Sequence, residues 1–190
     1  MISNVCKIDK GTADLKVILR ESEKVAEYNE LDPKQTLQLR LLCEEMDGML
    51  PNVIGGFDGD FYIEFVDGVC RLNASVIFEE FTAAKKEALI NVSKSKKNAA
   101  AVGLLGKIVS RIEDVFIDEE ILRSASAGYV DVIDYSYLWS LQQYKSDAAK
   151  KAPSDAYDEL EKSVIAAMAD DIIVAVKGKR AEITVVKRFA

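Results

Sequence analysis

The chain has 190 residues, enough for one sizeable core and short for two, since domains usually hold about 100 to 200 residues. Hydrophobic residues make up 49% and charged ones 30%, the balance of a globular protein and not of a disordered one. The net charge of −7 sets most of the surface against a polyanion, which excludes nucleic acid as the expected partner, and the absence of any histidine removes Ser-His-Asp and Cys-His mechanisms, imidazole metal sites and a phospho-accepting histidine. Any general acid or base must therefore be Asp, Glu, Lys, Cys or Tyr.

The first residues, MISNVCKIDKG, lack the basic stretch and apolar run of a secretory signal, and no apolar stretch approaches the roughly 18 residues of a spanning helix. The expectation is a cytoplasmic protein with no membrane partner. Cys6, Cys43 and Cys70 are odd in number, far apart and set in apolar runs, which predicts reduced core thiols without a metal.

In chain order, residues 2–8 (ISNVCKI) alternate loosely and predict a strand, and Gly11 and Thr12 suit a turn and a helix start. Leu15, Ile18, Leu19, Val25 and Ala26 then follow a 3.6-residue repeat, giving an amphipathic helix over 13–29. The next helix, 32–53, has the firmest start signal: Asp32 as N-cap, Pro33 at the first helical position and Gln35 completing a capping box. Leu39, Leu42, Met46, Met49, Leu50 and Val53 form its buried stripe, with Leu37, Leu41, Glu44 and Gly48 on a neighbouring stripe.

DFYIEFV (60–66) and VCRLNASVIF (69–78) alternate around Asp67-Gly68, a strong signal for a two-residue hairpin. A short helix near Phe81–Leu89, a polar loop SKSKKN (93–98) and a helix over 99–115 follow. Residues 117–151, which hold Tyr129, Tyr135, Tyr137, Trp139 and Tyr144, read as a helical insertion whose aromatics belong to a core or interface. Pro153, Ser154 and Asp155 begin another helix with Tyr157, Leu160, Val164, Ile165 and Met168 inward, and DIIVAVKGKRAEITVVKRF ends the chain as a β-hairpin. The expected fold is a single α/β (α+β) two-layer sandwich: a mixed, mostly antiparallel sheet of about five strands with helices on one face.

Three segments carry a resemblance. LLCEEMDGML (41–50) presents Glu44 and, four residues on, Gly48 along one helix; LNASVIFEEF (72–81) is a second hairpin strand; SKSKKNAAAVGLLGKIVSRI (93–112) feeds a polar, basic, glycine-containing loop into a helix. Together with the element order, these resemble the ATP-binding domain of the histidine-kinase-like (GHKL) superfamily, which includes histidine kinases, gyrases and anti-sigma-factor kinases. The resemblance covers residues 1–116 and 155–189.

It implies a nucleotide-binding regulatory protein that takes ATP or ADP with Mg2+. On this reading Glu44 acts as general base, and Ser95, Lys96, Lys97, Asn98, Gly103, Gly106 and Lys107 hold the phosphates. A carboxylate suits the base because it accepts the proton of an attacking hydroxyl, and backbone N–H groups at a helix start, with lysines beside them, suit an anion. The resemblance also implies transfer to a Ser or Thr hydroxyl of a partner protein, or to water, and allows a homodimer. The sequence departs from the family at two places. Gly48 stands where the family has its magnesium-holding asparagine, leaving Asp47 or Glu45 as substitutes, and the strand at 72–81 has neither the family's adenine-binding Asp nor its glycines, leaving Glu79 or Glu80. Those departures suit a second reading, a non-catalytic member that works through protein contacts alone.

Overall fold

A computed structural model describes residues 1–9, 12–54, 58–77, 137–148, 164–177 and 180–189. Among these residues seven strands form one sheet: β1 (Cys6–Asp9), β2 (Thr12–Ala13), β3 (Asp58–Val66), β4 (Val69–Ile77), β5 (Tyr137–Ser140), β6 (Asp171–Lys177) and β7 (Arg180–Arg188). Their order is β2-β1-β3-β4-β7-β6-β5, and every pairing among the described residues is antiparallel. Among the described residues four helices accompany them: α1 (Leu15–Tyr28), α2 (Pro33–Ile54), α3 (Leu141–Ala148) and α4 (Val164–Met168). The expected α+β sandwich is therefore present, with two hairpins, β3–β4 and β6–β7, joined edge to edge through β4 and β7.

Local chemistry fixes the elements. Asp67 and Gly68 both take positive φ, 50° and 76°, as a two-residue turn matched to strand twist requires. Beyond the turn Phe189 stacks on Phe65 with centroids 6.2 Å apart, and its N–H donates to the Gly68 carbonyl at 2.8 Å. The N-terminal segment pairs with β3 in a shifted register. Ile2 lies opposite Glu64 and Cys6 opposite Phe61, so Asn4 and Val5 together face Tyr62 as a β-bulge.

Strand alternation divides the sheet faces. Phe61, Ile63, Leu72, Val76, Ile183 and Val185 are buried and meet the helices, while Glu64, Arg71, Asn73 and Thr184 lie half-buried on the opposite face. On that second face Arg71 pairs with Glu64 at 3.3 Å and Thr184 Oγ1 donates to Asn73 Oδ1 at 3.0 Å.

The α1–α2 hairpin covers the inner face. The N-cap of α1 is Asp14, whose carboxylate accepts from the Lys16 N–H, so the helix starts at Leu15, three residues after Thr12, which belongs to β2. It ends in a Schellman motif: Leu31 N–H donates to the Ala26 carbonyl, Glu30 N–H to that of Glu27, and Glu30 takes φ 53°. Leu31 thereby packs on the core. The capping box forms as expected, with Gln35 N–H donating to Asp32 Oδ1 at 2.8 Å and Asp32 N–H to Gln35 Oε1 at 3.0 Å.

Leu39, Leu42, Met46 and Met49 are buried on α2, and Cys43 joins them. All three cysteines are free and buried. No helix among the described residues is long and apolar enough to cross a membrane.

Two expectations change. Residues 137–140 form a strand, not a helix, at the sheet edge, because Tyr137–Ser140 pairs with β6 before α3 begins. Asp171 holds that corner by accepting from Ser140 Oγ and from the N–H groups of Gln142 and Ile172. On α4, Ile165 is buried but Val164 is 44% exposed, and Ala166 takes the inward place. The helices near 81–89 and 99–115, the loop at 93–98, and residues 155–163 lie outside the described residues.

Candidate functional site

Helix α2 carries the acids of the candidate site. At about 100° per residue, its buried stripe through Leu39, Leu42 and Met46 points at the sheet, and the flanks differ in what they meet. Arg40 and Cys43 mark the flank facing α1. Arg40 Nη1 lies 3.7 Å from Glu23 Oε1 of α1, and Ser22 of α1 hydrogen-bonds Cys43.

Glu44 sits on the outer side of α2, turned toward that flank. Its Oε1 accepts from Arg40 Nε at 3.1 Å, an (i, i+4) pair, and its side chain is 36% exposed. Glu23, Arg40 and Glu44 thus form a chain of alternating charge along the seam of the two helices. Surface pairs of this kind contribute about 0–1 kcal/mol each, so they orient the carboxylate without locking it.

Glu45 is rotated by one residue onto the flank that faces away from α1, and it is half-buried. Asp47, also half-buried, lies two turns after Arg40 on the α1 side, and burial pushes its carboxyl pKa up. Gly48 is exposed, and a Cβ built there meets nothing among the described residues within 4 Å. The structure thus sets the three neighbouring acids around three directions of one helix. Ser95, Lys96, Lys97, Asn98, Gly103, Gly106 and Lys107, with Glu79 and Glu80, lie outside the described residues.

A cleft of about 380 Å³ opens at the end of the α1–α2 hairpin, lined by Ser22, Glu23, Leu31, Pro33, Thr36, Leu37 and Arg40 and not by Glu44. Its floor is apolar, and its hydroxyls are committed: Ser22 Oγ donates to the Leu19 carbonyl and Thr36 Oγ1 to that of Leu31. Arg40 and Glu23 at the rim already face each other. Among the described residues, no group of three or more carboxylates or thiols is placed to hold a metal ion.

One polar cluster escapes a sequence reading based on apolar period. Glu21 of α1 is 5% exposed, yet its Oε2 accepts from both the N–H and the side-chain amide of Asn4 at 3.1 Å, and its Oε1 meets Lys24 Nζ at 2.6 Å. Burial acts to raise its pKa, but Lys24 and the Asn4 donors outweigh that and hold it below the ordinary glutamate value. The bulge at Asn4 and Val5 is what turns these donors toward α1. Comparison with family models, with curated proteins and with solved structures finds no match to this chain.

Proposed function

We propose that the protein is a cytoplasmic, nucleotide-binding regulator of the histidine-kinase-like ATPase type, which takes ATP or ADP and acts on a partner protein. The observation that carries this reading is the order of elements around α2. A strand, two helices with the acids on the second, a hairpin around Asp67-Gly68 and a terminal hairpin follow one another in the chain, and this order supports the reading. Glu44 is the proposed base, with its carboxylate on the open side of α2 and oriented by Arg40. The loop of Ser95, Lys96, Lys97 and Asn98 and the helix start at Gly103, Gly106 and Lys107 are the proposed phosphate cradle. Activity on this reading is phosphoryl transfer by positioning and charge stabilisation.

A second reading, a non-catalytic member acting through protein contacts, is favoured by Gly48, which has no side chain with which to hold magnesium. Thermal shift with ATP or ADP, with and without Mg2+, separates the two. A shift, read beside a phosphate-release assay for turnover, supports the first; no shift with either nucleotide removes the first and leaves the second, which binds no nucleotide. Within the first, Lys97→Ala should weaken ATP binding, and Glu44→Ala should abolish turnover with little loss of binding.

A further inference from the structure

No further inference is drawn: the strongest candidate, the exposed apolar corner of the outer sheet face formed by Ile2, Val5 and Val66 beside Tyr62, carries nothing because nothing in the structure shows what covers it.

Discussion

Replacing Glu21 tests whether the buried carboxylate fastens the N-terminal bulge to α1. In Glu21→Gln the side chain keeps its size and one acceptor oxygen, but its charge is gone and the Lys24 contact becomes neutral. Hydrogen bonds to a charged group contribute about 1.5–3 kcal/mol, and the two Asn4 donors share one oxygen, so a loss of about 2 kcal/mol is expected at neutral pH. The pH dependence follows from the direction of the shift. Glu21 has a folded-state pKa below its ordinary 4.5, so its contribution is complete above the unfolded value and fades as pH falls through the folded one. Urea denaturation of both proteins near pH 7 and again at about pH 3 should show the gap narrowing in acid, because the contribution of the charged form fades as the pH falls below the unfolded value and through the folded one. A gap that stays constant across that range, or one below about 0.5 kcal/mol at neutral pH, would refute the assignment of a paired, charged Glu21.

Gly59→Ala should destabilise by about 2 kcal/mol or more in denaturant titration, because a Cβ there runs into the Ser75 carbonyl oxygen and lies 3.1 Å from Val76 Cγ1. An unchanged midpoint would show that β3 and β4 can separate locally. Glu30→Gly should raise stability by about 1 kcal/mol, since φ 53° at the end of α1 costs a side-chain-bearing residue more than glycine. The same assay reads it, and a loss would mean that the Glu30 side chain is itself stabilising. Thiol labelling under denaturing conditions without reductant should count three per chain, whereas the native protein should react slowly. Burial raises all three thiol pKa values, that of Cys70 to about 12, so little thiolate exists at neutral pH; rapid native labelling of all three would contradict this burial.

What the sequence made legible was local. Asp32, Pro33 and Gln35 announce the start of α2 within four residues, and Asp67-Gly68 announces the β3–β4 turn, because caps and two-residue turns depend on neighbours in the chain. The bulge was not legible. Ser3 and Cys6 are both buried although they stand three positions apart, which breaks the two-residue period that a strand reading relies on. Glu21 and Ser22 were hidden for a related reason. An apolar repeat assigns no inward place to polar residues; Glu21 is satisfied by Asn4, distant in the chain, and Ser22 by the Leu19 carbonyl one turn back in its own helix. Strand β5 was masked by its setting, since four residues between a polar segment and a helix give too short a pattern to separate from either.

The site is less legible than the fold because one residue of rotation decides it. Glu44, Glu45 and Asp47 are equivalent in composition, yet on α2 they point outward, away from α1 and toward α1 respectively. Gly48 offers a way to test the proposed alignment without disturbing packing. A Cβ added there meets none of the described residues, and asparagine is a better helix former than glycine by a few tenths of a kcal/mol, so Gly48→Asn should fold at least as stably as wild type. If Glu44 and position 48 are the proposed base and metal-holding places, asparagine supplies the carbonyl oxygen that magnesium coordination needs. The thermal shift with ATP should then depend more strongly on Mg2+ in Gly48→Asn than in wild type. Were ATP to bind both proteins with the same dependence on Mg2+, position 48 would not face the phosphates. The acid of the site would then be sought on the other flank of α2, at Glu45, and the proposed role of Glu44 would fall while nucleotide binding stood.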